Sequence, residues 1–149
     1  MRIEQRLQEL GIELPEPVTP VATYVRWVQT GNLLFISGTG PGDAAPRGKV
    51  DADVSVEEAY AVAREVGLQI IATAKAALGD LDRVSRVVKV LGMVNSSPDF
   101  DRQPQVINGC SNLMVEVFGE AGRHTRSAVG MGSLPGRIAV EIECTLEVT

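Results

Sequence analysis

The sequence is poor in aromatic residues, and it contains no long apolar run. Its 149 residues include three Phe, two Tyr and one Trp, so Val, Ile, Leu and Ala have to supply the core. No apolar run approaches the roughly 20 residues that span a bilayer, so we expect no membrane-spanning helix. The first residues lack the apolar segment of a signal peptide, and we therefore expect a cytoplasmic protein.

Basic residues, cysteine and histidine are also scarce. There are 14 Lys and Arg against 19 Asp and Glu, giving a net charge of −5, whereas a nucleic-acid groove usually needs a basic surplus. Nucleic acid is therefore a disfavoured partner. The single histidine, His124, and the two cysteines, Cys110 and Cys144, show no metal-ligand spacing, so we expect neither a metal nor another cofactor. Both cysteines lie in apolar patterns that predict buried, reduced thiols.

The pattern of apolar and turn residues predicts a leader helix followed by the order β-β-α-β-α-β-β. Ile3, Leu7 and Leu10 share one face of a helix over 2–11, and the prolines that follow predict an extended segment. The remaining predicted elements are strands 24–29 and 33–37 joined by a Gly31-Asn32 turn, a loop over 38–49, a helix over 56–78, a strand over 84–94, a helix over 104–119, and strands over 125–131 and 138–148.

This order is typical of one α+β domain over 1–149, with two helices on one face of a mostly antiparallel sheet. Residues 84–94 are almost continuously apolar, as in a strand that is covered on both faces. Because the two helices cover one face only, we expect the other face to pack against further copies of the chain in a homo-oligomer.

The last quarter of the chain carries the clearest chemistry. Glu141 and Glu143 alternate with Val140 and Ile142, so the two carboxylates share one face of a strand. A short Gly/Pro turn is expected to fold this strand back beside the segment that carries Arg126. The pattern therefore predicts guanidinium donors close to a carboxylate, an arrangement that can bind a small anion and activate a water.

A set of short motifs runs through the chain in a recognisable order. Its C-terminal part is Arg126-Ser127-x-Val129, Leu134-Pro135 and Val140-Glu141-Ile142-Glu143, and its upstream part is Tyr24, Gly31-Asn32-Leu33, Ile36-Ser37-Gly38, Glu57-Glu58-Ala59 and Asn108. Together they resemble the RidA/YjgF family, also labelled endoribonuclease L-PSP or translation initiation inhibitor, over residues 18–148. The chain departs from that pattern at His124, where the family often has Pro or Ala, at Ala128, where it commonly has Cys, and in the extra leader over 1–17. These departures indicate a divergent subgroup.

The resemblance implies a homotrimer with a chorismate-mutase-like fold and three clefts between neighbouring subunits. It also implies hydrolysis of reactive enamine and imine intermediates, such as 2-aminoacrylate, to a 2-keto acid and ammonia. By position in the motif, Arg126 would bind the substrate carboxylate and Glu143 would position or deprotonate the water. The pocket would be lined by Tyr24, Ser37, Asn108 and, through its backbone, Ala128.

Two other functions remain open. A non-catalytic homotrimer that binds small carboxylic metabolites, as a sensor or chaperone, would need Arg126 but not Glu143. An endoribonuclease is the weaker alternative, because the chain is acidic, has few aromatic residues and lacks a basic helix. The role of His124 is open as well, between a proton shuttle beside Arg126 and a residue of the rim or the interface.

Overall fold

The computed structural model describes residues 2–20 and 22–149, and these residues form three α-helices and one five-stranded sheet. The helices are α1 (Arg2–Glu9), α2 (Val56–Leu78) and α3 (Gln103–Phe118). The strands are β1 (Trp27–Thr30), β2 (Leu33–Thr39), β3 (Val84–Asn95), β4 (Thr125–Met131) and β5 (Val140–Val148). Short 3-10 helices occupy Leu81–Arg83, Gly119–Gly122 and Pro135–Arg137. The predicted α+β order is confirmed.

The first hairpin forms as predicted, with one difference at its start. Thr30 pairs with Leu33 across the two-residue turn, where Gly31 adopts the left-handed φ of 58° that glycine tolerates. β1 begins at Trp27 instead of Tyr24 because residues 22–24 bend. In that bend the Tyr24 amide donates to the Ala22 carbonyl at 2.9 Å.

The sheet has the strand order β1-β2-β5-β3-β4, and all pairs are antiparallel except the parallel pair β3–β4. The mostly antiparallel sheet is confirmed, but the expectation that β5 folds back beside β4 is wrong, because β3 lies between them. After β4 the chain crosses the end of β3. There the Asn95 amide donates to the Ala139 carbonyl at 2.9 Å, and Asn95 Nδ2 donates to the Ile138 carbonyl at 3.1 Å. β3 thereby gains a hydrogen-bonded neighbour on both edges.

The core lies between the sheet and the two long helices, which cover one face as predicted. Fully buried side chains from both layers include Leu34, Val87, Val90, Ile142, Leu146, Val66, Ile70, Val106 and Leu113. The helices approach each other closely at Gly109, where the Tyr60 carbonyl occupies the space that a Cβ would need. α2 begins with a capping box formed by Ser55 and Glu58. Cys110 and Cys144 are free and buried in this core, as predicted.

No helix of the described residues covers the other face of the sheet, which we call the open face. It exposes Val28 (52%), Phe35 (44%) and Val129 (38%), together with half-buried Leu91 and Met93 on β3. β3 is therefore covered on one face by its own chain. Such a band of exposed apolar side chains is typical of a surface that docks another protein.

Candidate functional site

Arg126 lies on the edge strand β4, with its side chain turned toward α3. Its partner in the β3 register is Val90, a fully buried residue of the helix-covered face, and paired residues point to the same face. Arg126 Nη1 donates to Asn108 Oδ1 at 2.8 Å and to Ser111 Oγ at 3.1 Å. Nη2 donates to the Pro104 carbonyl at 3.5 Å. Three contacts with α3 therefore orient the guanidinium.

These contacts leave one edge of the Arg126 guanidinium for a ligand. A guanidinium carries five N–H donors in one plane, and both Nη1 donors and one Nη2 donor are directed at α3. The remaining Nε and Nη2 donors lie side by side, which suits bidentate binding of a carboxylate.

A surface cavity of about 230 Å³ opens beside this guanidinium. It is smaller than most small-molecule sites, which enclose roughly 300–1,000 Å³. Its lining residues are Asn108, Ser111, Asn112, Val115, Arg123, His124 and Arg126. We call this the Arg126 cavity.

Two residues behind Arg126 extend its hydrogen-bond network. Ser111 Oγ lies 2.8 Å from His124 Nε2, and His124 Nδ1 lies 2.7 Å from the Gly122 carbonyl oxygen. Burial lowers the pKa of His124 below its ordinary value of 6.5, and the charge of Arg126 lowers it further, whereas the bond to Gly122 opposes the shift. Sequence reasoning missed Ser111. Its signal was the spacing of three residues from Asn108, which places both on one face of a helix.

Ala128 belongs to the same part of the molecule as Arg126. It pairs with Gly92 in the β3 register, on the helix-covered face, and it packs half-buried against the core. Asn108, Arg126 and Ala128 are thus brought together by one helix and one edge strand.

Glu143 lies on the open face, away from Arg126. It is exposed and pairs with Leu91, whose side chain points away from the helices. A cavity of about 220 Å³ beside it is lined by Phe35, Lys89, Leu91, Glu143, Cys144 and Thr145. The expectation that one protomer brings the Arg126 guanidinium close to the Glu143 carboxylate is therefore wrong.

Glu141 neighbours Glu143 on the same face of β5. Burial raises the pKa of Glu141 above its ordinary value, and the charge of Glu143 raises it further, whereas the charge of Arg26 opposes the shift. A Cβ at Gly38 would lie only 2.6 Å from Glu141 Oε2, so this carboxylate packs directly on the β2 backbone. The two carboxylates on this face of β5 therefore repel each other.

Arg26, which sequence reasoning did not single out, joins Tyr24 to the end of β2 that carries Ser37. Arg26 is 8% exposed, and its guanidinium donates to Tyr24 Oη at 3.4 Å and to the Gly38 carbonyl at 3.1 Å. Ser37 Oγ donates to the Val25 carbonyl at 2.6 Å. An arginine within a predicted strand carries no signal that separates a buried from a solvated side chain.

The six predicted site residues thus fall into two groups. Asn108, Arg126 and Ala128 meet on the helix-covered side of β4, whereas Tyr24, Ser37 and Glu143 belong to β5 and the region around β2. A pocket that contains members of both groups requires the β4 edge of one protomer to approach the open face of another.

A further cavity, of about 410 Å³, lies beside Lys49. The Lys49 ammonium donates to Asn95 Oδ1 at 3.0 Å and to the carbonyls of Ser96 and Gly132. All three of its donors are used, so Lys49 ties the loop over 40–55 to the ends of β3 and β4. Within 2–20 and 22–149, no group of three or more His, Cys, Asp or Glu side chains could hold a metal ion. None of the described helices is long and apolar enough to cross a membrane.

Comparison with known proteins agrees with this architecture. Residues 4–138 match the family model described as "YjgF/chorismate_mutase-like, putative endoribonuclease". The chain belongs to the YjgF/RidA family.

Three relatives place this YjgF-family protein within its family. It is 45% identical over 151 residues to Protein TCP17 of Trypanosoma cruzi, covering 99% of this chain and 94% of that one. It is 46% identical to the crystal structure of Atu1372, with unknown function, from Agrobacterium tumefaciens, with a TM-score of 0.91 over 99% and 93% of the two chains. RidA from the Antarctic bacterium Psychrobacter sp. PAMC 21119 is 30% identical, with a TM-score of 0.60 over 89% and 94%. The protein is therefore more similar to the first two relatives than to this RidA.

Proposed function

We propose that this YjgF-family protein is a hydrolase of reactive enamines and imines of the 2-aminoacrylate type, acting in the cytoplasm without a cofactor. The observation that carries the proposal is the Arg126 guanidinium, oriented by Asn108 and Ser111 with one edge left for a carboxylate. The small size of the Arg126 cavity favours an acid of a few carbon atoms.

The proposed reaction adds one water across a C=N bond. The enamine 2-aminoacrylate tautomerises to its imine, water attacks the imine carbon, and the carbinolamine collapses to pyruvate and ammonia. Arg126 binds the carboxylate and keeps the imine carbon in place. Glu143 of a neighbouring copy holds the water and accepts its proton as the C–O bond forms, and that proton then passes to the departing nitrogen. Tyr24 and Ser37 line the pocket beside Glu143, and the backbone at Ala128 orients the imine nitrogen.

The proposed assembly is a homotrimer with one cleft at each subunit boundary. The apolar side chains of the open face, among them Val28, Phe35 and Val129, supply a surface for a second copy. The Arg126 cavity and the cavity beside Glu143 are each small, at about 230 and 220 Å³. Two such half-sites that face each other across a boundary would form one pocket of ordinary size.

The decisive assay mixes the protein with a pyridoxal-phosphate dehydratase that generates 2-aminoacrylate and follows keto-acid release. We expect clear acceleration by the wild type, and a loss of at least about 100-fold in kcat/KM for Arg126→Lys and for Glu143→Gln. Arg64→Lys, at an arginine paired with Glu116 at 3.2 Å, and Glu13→Gln, at an exposed site, are the matched controls. The proposal is rejected if no amino-acid-derived imine is hydrolysed faster than in buffer.

A non-catalytic binder of small carboxylic acids is the second candidate. It is favoured by one observation, that the Arg126 cavity is built from a single protomer without Glu143. Thermal stabilisation by pyruvate that survives Glu143→Gln, together with the absence of turnover, would support a sensor or chaperone instead of a hydrolase.

Cleavage of RNA is the weakest candidate, although the family description names an endoribonuclease. The net charge of −5 and the small size of the cavities argue against a nucleic-acid surface. Titration of a labelled single-stranded RNA at low and physiological salt tests this alternative. Tight binding that weakens steeply with salt would favour it over the hydrolase.

A further inference from the structure

We propose that Ser111 and His124 are positioning residues for Arg126, and that the neutral state of His124 is required for tight carboxylate binding. In this arrangement, which we call the relay, neutral His124 orients the Ser111 hydroxyl, which in turn accepts a hydrogen bond from the Arg126 guanidinium. Protonation of His124 disrupts this series of hydrogen bonds and releases the Arg126 guanidinium from Ser111. The inference rests on the proposed binding of a carboxylate by Arg126, and it adds a pH-sensitive control of that binding.

The direction of each hydrogen bond follows from the chemistry of the four groups. The Gly122 carbonyl can only accept, so His124 Nδ1 at 2.7 Å carries the proton. Nε2 of the neutral ring is then an acceptor, and Ser111 Oγ at 2.8 Å must donate to it. The lone pairs of Ser111 Oγ are therefore available to Arg126 Nη1 at 3.1 Å. Each donor in this series of hydrogen bonds therefore has an acceptor.

A protonated His124 cannot keep this pattern. Both of its ring nitrogens are then donors, so Ser111 Oγ would face a cationic N–H from His124 and another from Arg126. Two positive charges that share one oxygen repel each other. The guanidinium is half-buried and lines a surface cavity, so it is the group that can move into solvent. The pKa of His124 is lowered chiefly by burial and also by the charge of Arg126, which agrees with this cost.

The charged groups around His124 do not offset that cost. Arg123 lines the Arg126 cavity and pairs with Glu120 at 3.2 Å. Arg86 and Glu147, which are partners in the β3–β5 register, border a second cavity that His124 also lines. Glu116 of α3 pairs with Arg64 at 3.2 Å. No acidic side chain of the described residues forms an ion pair with His124.

The sequence makes this relay easy to observe, because His124 is the only histidine. Its imidazole signals in an NMR spectrum of the assembled protein are therefore unambiguous. We expect the neutral ring to show the tautomer that is protonated at Nδ1. We also expect a titration midpoint below the ordinary value of 6.5.

The closing experiment measures the Kd of pyruvate between pH 4.5 and 8 for the wild type, Ser111→Ala and His124→Gln. For the wild type we expect pyruvate to bind about five- to tenfold more weakly in acid than at neutral pH. We call this weakening the acid step, and its midpoint should be the one that NMR gives for His124. By linkage, saturating pyruvate should shift that midpoint to lower pH. Ser111→Ala should bind about five- to tenfold more weakly at neutral pH and lose the acid step. His124→Gln, whose side chain does not titrate in this range, should also lose the acid step.

The control is Ser85→Ala, at an exposed position of β3, which should behave as the wild type. Unchanged affinity and an unchanged acid step in Ser111→Ala overturn the inference, as does a wild-type affinity that rises when His124 is protonated. The wild-type titration decides the matter even if a variant fails to fold. Absent turnover with an intact acid step would reject the hydrolase and support the relay. Normal turnover with no effect of Ser111→Ala would reject the relay alone.

Discussion

Arg126 and Glu143 lie on opposite faces of one sheet, separated by β3. Arg126 is level with Val90 on the helix-covered face, and Glu143 is level with Leu91 on the open face. Consecutive residues of a strand point to opposite faces, so no change of rotamer within a protomer brings the guanidinium to the carboxylate. Any site that uses both residues must combine two copies of the chain.

Subunit mixing tests this geometry directly. Arg126→Lys and Glu143→Gln should each be inactive alone, but a 1:1 mixture that is unfolded and refolded together should regain activity. In the proposed homotrimer each cleft takes Arg126 from one copy and Glu143 from a neighbour. In a 1:1 mixture both residues are therefore intact in about a quarter of the clefts, half of one times half of the other. Keto-acid release at equal total protein measures the recovery. A mixture no more active than its two components would show that Arg126 and Glu143 do not act together in a shared cleft.

The open face should lose its ability to assemble when a charge is placed on it. Phe35, 44% exposed, lies in the apolar band of that face. Phe35→Asp should therefore convert the proposed homotrimer to monomers by placing a carboxylate in an apolar contact. Sedimentation equilibrium measures the mass. Tyr60→Asp, at a residue that is 36% exposed on α2, is the matched control and should leave the mass unchanged. A Phe35→Asp protein of unchanged mass would mean that another surface forms the interface.

The contact between α2 and α3 should not tolerate a methyl group at Gly109. The Tyr60 carbonyl fills the space of a Cβ there, with the Arg64 amide nitrogen 3.1 Å away, and both are backbone groups that cannot turn aside. We expect Gly109→Ala to lower the free energy of unfolding by at least about 2 kcal/mol, because the helices must move apart. Urea unfolding at fixed protein concentration measures the loss. Gly132→Ala, where no atom lies within 4 Å of the added Cβ, should change little, and equal losses in the two variants would contradict the close approach.

Glu141 should make the stability of the protein depend on pH. Its pKa in the folded state is raised above the ordinary value of 4.5, first by burial and then by the charge of Glu143. The unfolded state therefore releases this proton at lower pH than the folded state does, and stability falls as the pH rises from about 4.5 through the folded-state pKa. Glu141→Gln should raise Tm by about 1–3 °C at pH 7, a small value because the side chain is partly solvated.

Thermal melts at pH 4 and pH 7 measure this difference, which should disappear at the lower pH. Glu13→Gln, at an exposed site in the extended leader, is the matched control and should leave Tm unchanged at both values. A lower Tm for Glu141→Gln at pH 7 would show that the attraction of Arg26 outweighs burial.

Local patterns in the sequence were sufficient for the elements and for the layers of the fold. The three- and four-residue apolar spacing of α2, which begins after Ser55 and ends before Gly79, predicts its observed bounds of Val56–Leu78. The alternation of Val140, Glu141, Ile142 and Glu143 predicts one buried and one uncovered face of β5, as found. These features depend on neighbours within a few residues, so the periodicity of apolar residues in the sequence predicts them.

The strand order could not be read from the same patterns. A turn between β4 and β5 is compatible with a hairpin and with a crossing over the end of β3. The choice depends on hydrogen bonds of Asn95 with Ile138 and Ala139, which are distant in sequence. Buried Arg26 and the pair of Ser111 and His124 escaped notice for the same reason, since their partners come from other elements.

The sequence by itself determined the helices, the strands and the apolar core, because each is encoded by spacing or residue type, and its resemblance to the family selected Arg126 and Glu143 for the proposed site. Only the tertiary structure decided where those charges stand. By inserting β3 between β4 and β5, it placed the guanidinium under a helix and the carboxylate on an uncovered apolar face. Hydrogen-bond pairing between strands that are distant in sequence sets that arrangement, and a local sequence pattern does not predict such pairing.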